Sequence, residues 1–140
     1  MYGAITRHSE NDYIAVLSAE QKIVLQRLLR YRLTGQTRAV AEEPDKKSEN
    51  GYIERMREEL YKIFLTDDPE YVQTREMLKK EGVAAANAVI SILSAAVAAK
   101  FGVAAAACVP FVVYFVIMIL KAGFAETLEG KKTEEAVTQD

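Results

Sequence analysis

Apolar positions recur at helical spacing along the first half of the chain. In "LSAEQKIVLQRLLRYRLTG", Leu25, Leu28, Leu29 and Leu33 share one face, Ser18 and Gln21 match a capping box, and Gly35 is a natural stop. Tyr13, Ile14 and Leu17 add earlier turns, so the first helix is placed at 10–34. "GYIERMREELYKIFL" repeats the pattern through Ile53, Met56, Leu60 and Ile63 or Phe64. Glu54 and Glu58 pair with Arg57 and Lys62 on its wet side, giving a second helix at 51–65. Asp68 as cap, Pro69 at the first helical position and Gly82 as stop frame a third helix over 69–81, whose apolar stripe (Tyr71, Leu78) is thin. Between the first two helices, residues 35–50 are polar, contain Pro44 and read as a linker.

At residue 83 the pattern changes. Residues 1–82 hold 14 Lys/Arg and 15 Asp/Glu, whereas residues 83–125 hold only Lys100 and Lys121 and no acid. Residues 83–99 are mostly Ala, Val and Ile, "KFG" (Lys100 to Gly102) breaks the run, and residues 103–120 are apolar throughout, with Pro110 inside. The pattern predicts an all-α protein. A charged amphipathic module spans 1–82. An apolar helical hairpin follows over 83–128, its helices at 83–100 and from 103 or 110 to 128. A polar tail, 129–140, is expected to be disordered.

Two placements of the hairpin fit this pattern. In a membrane, eighteen apolar residues sit at the lower edge of a transmembrane span. Lys100 would then lie at the far tip, with Lys79, Lys80 and Lys121 together on the near side. That sets both termini in the cytoplasm of an inner-membrane protein. In water, a helix hydrophobic all round becomes the centre of a bundle wrapped by amphipathic helices. Two or three charged helices are too few to cover both apolar ones, so a soluble form would bury the rest in a homo-oligomer or against a protein partner. Within 83–99, Asn87, Ser91 and Ser94 are spaced i, i+4, i+7, and Ala84, Ala88, Ala95 and Ala98 widen that small-residue face. Ile90, Leu93 and Val97 make the bulkier side. Small residues let helices approach closely, and Asn or Ser can hydrogen-bond across the contact. Asn87, Ser91, Ser94 and Ala95 are therefore candidate helix-packing or pore-lining residues. Tyr114 and Lys121, which share a face with Met118, complete the set.

Residues 83–125, an Ala/Val/Ile-rich helical pair beside amphipathic helices, resemble the hydrophobic hairpin of pore-forming bacterial toxins. More loosely they resemble small two-span effectors of bacterial antiphage systems. The resemblance rests on composition and implies a membrane-inserting, self-associating effector that opens a pore or disturbs the bilayer.

Candidate chemistry changes this picture little. His8 is the single histidine and Cys108 the single cysteine, so an intrachain disulfide is impossible. The first residues show no basic-then-apolar leader pattern, and no cleaved signal peptide is expected. Asp67 and Asp68 stand beside Pro69, where capping explains them better than a carboxylate site. Arg27, Arg30 and Arg32 suit a solvated helix face. A net charge of -2 supplies no general field for nucleic acid. The expectation is a non-enzymatic protein without cofactor or metal. Its partners would be membrane lipid or further copies of itself, with a protein partner reachable through the N-terminal helices.

Overall fold

The computed structural model describes residues 5–6, 8–33, 49–81 and 85–129. Among them the chain is all-α: α1 (Glu10–Ile14), α2 (Ala19–Leu33), α3 (Glu49–Leu65), a 3₁₀ turn (Pro69–Tyr71), α4 (Val72–Glu81), α5 (Ala86–Phe101), α6 (Ala105–Ala122) and α7 (Phe124–Leu128).

The predicted helix at 10–34 is two helices, because two start signals lie nine residues apart. Ser9 and Asp12 form a reciprocal capping box on α1. Ser18 and Gln21 form another ahead of α2, with bonds of 3.0 and 3.2 Å, so the chain turns between them. The second predicted helix starts two residues earlier than expected, at Glu49, inside the segment read as linker; 35–48 lies outside the described residues. The third opens as a 3₁₀ turn capped by the Asp68 side chain, which accepts from the Glu70 N–H at 2.9 Å, and then continues as α4. The tail lies outside the described residues beyond Glu129.

α5 ends where Gly102 takes a left-handed conformation (φ 72), and the N–H groups of Gly102 and Val103 both reach the Ala98 carbonyl. The chain reverses in three residues, and α6 packs back along α5. Pro110 falls inside α6 rather than at its start. A proline there removes the donor for the carbonyl four residues earlier. That carbonyl belongs to Ala106, and the Gln21 side-chain amide donates to it at 3.3 Å. One side chain thus closes the cap of α2 and satisfies the gap that Pro110 opens in α6. At Gly123 (φ 95) the chain breaks again, and α7 follows instead of a helix continuous to 128.

α6 is the centre of the bundle. Val112, Val113, Tyr114, Phe115, Val116 and Ile117 are all buried, which covers every side of the helix for more than a turn. α1, α2, α3, α5 and α7 surround it. Of the stripe predicted for α2, Leu25 and Leu28 are buried, Leu29 is half-buried and the Leu33 side chain lies outside the described residues; from α3, Ile53, Met56, Leu60, Ile63 and Phe64 are buried. α4 packs on α5, and its Leu78 is fully buried. Its N-terminal turn is tied to α3, where the Tyr71 hydroxyl donates to the buried Glu59 carboxylate. Burial and that bond raise the Tyr71 phenol well above its ordinary pKa, so it stays a donor. Arg75 reaches from α4 to the end of α3, donating to the Ile63 and Lys62 carbonyls at 2.8 Å each. This places a cation on the negative end of the α3 dipole.

Candidate functional site

The helices of the bundle differ in what they show to solvent. Exposed positions on α2 include Glu20, Lys22, Arg27 and Arg30, and those on α4 include Gln73, Glu76, Lys79 and Lys80. On α5 the exposed line is Asn87, Ser91, Ala95 and Ala99, spaced by four, with half-buried Ala88, Ile92 and Ala96 alongside. This strip has no charge over the thirteen residues from Asn87 to Ala99, about 18 Å at 1.5 Å per residue. It leads into the turn, where Gly102 to Ala107 are six consecutive exposed residues without a polar side chain; Val103 keeps 38% of its surface exposed.

The bulky side predicted for α5 faces inward: Ile90, Leu93 and Val97 are buried, and Val89 joins them. The small-residue face, however, is divided. Asn87, Ser91 and Ala95 lie outside, while Ser94 and Ala98 are buried, at 1% and 4% exposure. The reason is the winding of the contact. Buried positions on α5 also advance by four (Ala86, Ile90, Ser94, Ala98 and Val89, Val97 flanking Leu93), so the buried stripe follows the i±4 ridges and drifts around the helix. Asn87 and Ser94 lie on nearly the same line along the axis and fall on opposite sides of the stripe's moving edge. Inside, the Ser94 hydroxyl has no hydrogen-bonding partner.

Tyr114 is buried in α6, its ring edge-on to Phe115 at 5.1 Å. Lys121 is exposed at the other end of α6, 4.0 Å from Glu10. Lys79 and Lys80 are exposed at the end of α4, which leads toward the start of α5. Lys100 stands at the opposite, turn end of the hairpin. There its ammonium donates to Glu70 at 2.9 Å, and that bond, more than the charge alone, raises its pKa. The structure therefore brings Asn87, Ser91 and Ala95 together on the surface, takes Ser94 and Tyr114 into the core, and separates the lysines between the two ends of the hairpin.

Sequence reasoning missed Ala99 and the Ala104–Ala107 end of the surface, and the contacts of Tyr52 with Phe101 and Phe111 beside the turn. The four-residue spacing Asn87–Ser91–Ala95–Ala99 was the available signal. Elsewhere, an open depression of about 670 Å³ lies between α3, the loop at Thr66–Asp68 and Leu128. Its basic wall is engaged: Arg57 pairs with Glu54 at 2.6 Å and donates to the Leu128 carbonyl at 3.3 Å. Among the described residues no three His, Cys, Asp or Glu side chains group as metal ligands, and Cys108 is buried in α6. Comparison with protein-family models, with curated proteins and with solved structures gives no match for this chain.

Proposed function

We propose that this chain is a non-enzymatic, all-α association module. The charged helices sheathe α6, and the molecule self-associates by packing the uncharged outer face of α5 against the same face of a second copy. The observation that carries this reading is the unbroken uncharged line Asn87, Ser91, Ala95 and Ala99 on α5; α2 and α4 also expose apolar residues (Ile23, and Val72 with Met77), but each stands among exposed charges. Small side chains allow close backbone approach, and a two-fold contact between antiparallel α5 helices would set Ser91 against Ala95 and Asn87 against Ala99, small against small. Asn87 and Ser91 supply hydrogen-bonding groups at that contact. The test is sedimentation of the full chain across the micromolar range, alongside Ala95→Arg. The expected result is a defined oligomer that the arginine converts to monomer, with unchanged helicity. A wild-type protein that is monomeric throughout the range rules the reading out.

A second reading rests on α6 itself, which at 18 residues and a mean hydropathy of 2.2 is long and apolar enough to cross a membrane. In it the hairpin inserts, with Lys100 at the far tip and Lys79, Lys80 and Lys121 at the near side, and the protein acts as a pore or membrane-disrupting effector. Alkaline carbonate extraction of native membranes decides between the two. Retention in the pellet favours insertion, and release as a soluble oligomer favours the module.

A further inference from the structure

We propose that α3 and the 3₁₀ turn form a clasp on the α5–α6 turn that sets how much apolar surface the hairpin offers for association, an inference that rests on the self-association reading above. Lys100 is the only charge between residues 83 and 120, and it is held by Glu70 of the 3₁₀ turn at 2.9 Å. Next to it, Phe101 is covered from α3. The Arg55 guanidinium lies 4.5 Å from its ring centre and the Tyr52 ring 6.2 Å away. Tyr52 also meets Phe111 of α6 at 6.4 Å, so one residue of α3 spans both arms of the hairpin just behind the turn. Glu70 is not on a loose arm, because the neighbouring Tyr71 is anchored in the core on Glu59.

These contacts differ in kind from those that hold α5 to α6. An ion pair with both partners about two-fifths exposed, a cation over a half-buried ring and tilted aromatic contacts are each of surface strength. Leu93 and Val97, by contrast, are fully buried, and core side chains of this kind are held by many close contacts. The clasp is therefore the part of the hairpin's surroundings that opens first, by local rather than global unfolding. Opening it uncovers Phe101 and Phe111. Phe101 adjoins Val103, and Phe111 lies one helical turn from Ala107, so both extend the exposed apolar turn that continues the Asn87–Ala99 strip. Closed, the clasp keeps two aromatic rings out of the association surface; open, it adds them.

The test is charge reversal. Glu70→Lys and Lys100→Glu each set like charges against one another, and the double variant restores the pair in reverse. Amide hydrogen exchange of residues 99–107 and sedimentation of the same samples are read together, with circular dichroism as a check on the fold. Each single variant is expected to speed exchange at the turn about fivefold, the scale of one exposed ion pair, and to lower the concentration at which the protein associates. The double variant returns both to wild type. Unchanged exchange in the single variants overturns the clasp, and in that case association that still responds to Ala95→Arg shows the module reading intact. Faster exchange with unaltered association overturns the clasp as a control on assembly.

Discussion

Val113→Glu unfolds the whole bundle, including the helices between residues 19 and 81. Val113 is fully buried in the stretch of α6 that is enclosed on every side, and α6 as a whole packs against α1, α2, α3, α5 and α7. A carboxylate there has no partner and loses its water. That places the change among the few single substitutions that cost more than about 4 kcal/mol, against a total stability of about 5–15 kcal/mol for a domain of this size. The effect carries a pH signature. Burial raises the folded-state pKa of the new carboxyl above its unfolded value of about 4.3. Relative to wild type at the same pH, the penalty is smallest below that value and grows as pH rises through the interval up to the folded pKa. Denaturation followed by circular dichroism from acid to neutral pH measures this. A neutral-pH variant that keeps a folded, protease-resistant N-terminal half would show that α6 is separable from the rest, as the inserted-hairpin reading requires.

Leu93→Ala and Ser91→Leu, two residues apart on α5, are expected to behave oppositely. Leu93 is fully buried on the face that α5 turns to the core. Its truncation leaves a cavity and costs about 2–5 kcal/mol, which lowers the midpoint of urea denaturation without altering the slope. Ser91 is exposed on the outer strip. Leucine there leaves the stability of the monomer within about 0.5 kcal/mol and acts on association instead, because a bulky side chain holds the facing helix away. Sequence spacing alone places Ser91 on a close-packed face in which leucine disturbs any fold. The structure puts Ser91 at the surface, so the self-association proposed above assigns that effect to assembly rather than folding. Equal costs for the two substitutions would mean that Ser91 packs inside the bundle.

Much of the bundle was legible because the residues that build it signal locally. The apolar stripe of α3 and the Ser18–Gln21 and Asp68–Pro69 starts each depend on neighbours within one or two turns. What escaped depends on pairs far apart in the chain. Pro110 reads as a helix start from its neighbours alone, whereas it lies inside α6, and the Ala106 carbonyl it leaves without a helical donor accepts from Gln21, 85 positions away. The break at Ala15–Ser18 follows from two competing caps, and periodicity through Tyr13, Ile14 and Leu17 runs straight across it. The candidate surface was half legible. Asn87, Ser91 and Ala95 follow from small-residue spacing, but placing Ser94 inside requires the oblique drift of the contact along α5, which helical spacing does not encode. The clasp at Lys100 and Phe101 joins residues 30 and 49 positions apart (Glu70 and Tyr52), and no local pattern announces it.

Native-state hydrogen exchange of the full chain in detergent-free buffer, followed across α6, tests the enclosure of that helix most directly. Six consecutive buried residues at the centre of the bundle should exchange only through global unfolding. The amides of residues 112–117 are therefore predicted to be the slowest in the molecule, with opening free energies equal to that from denaturant unfolding. Exchange at 112–117 faster than in α3, or a chain that stays in solution only when detergent covers α6, would contradict the sheathed bundle.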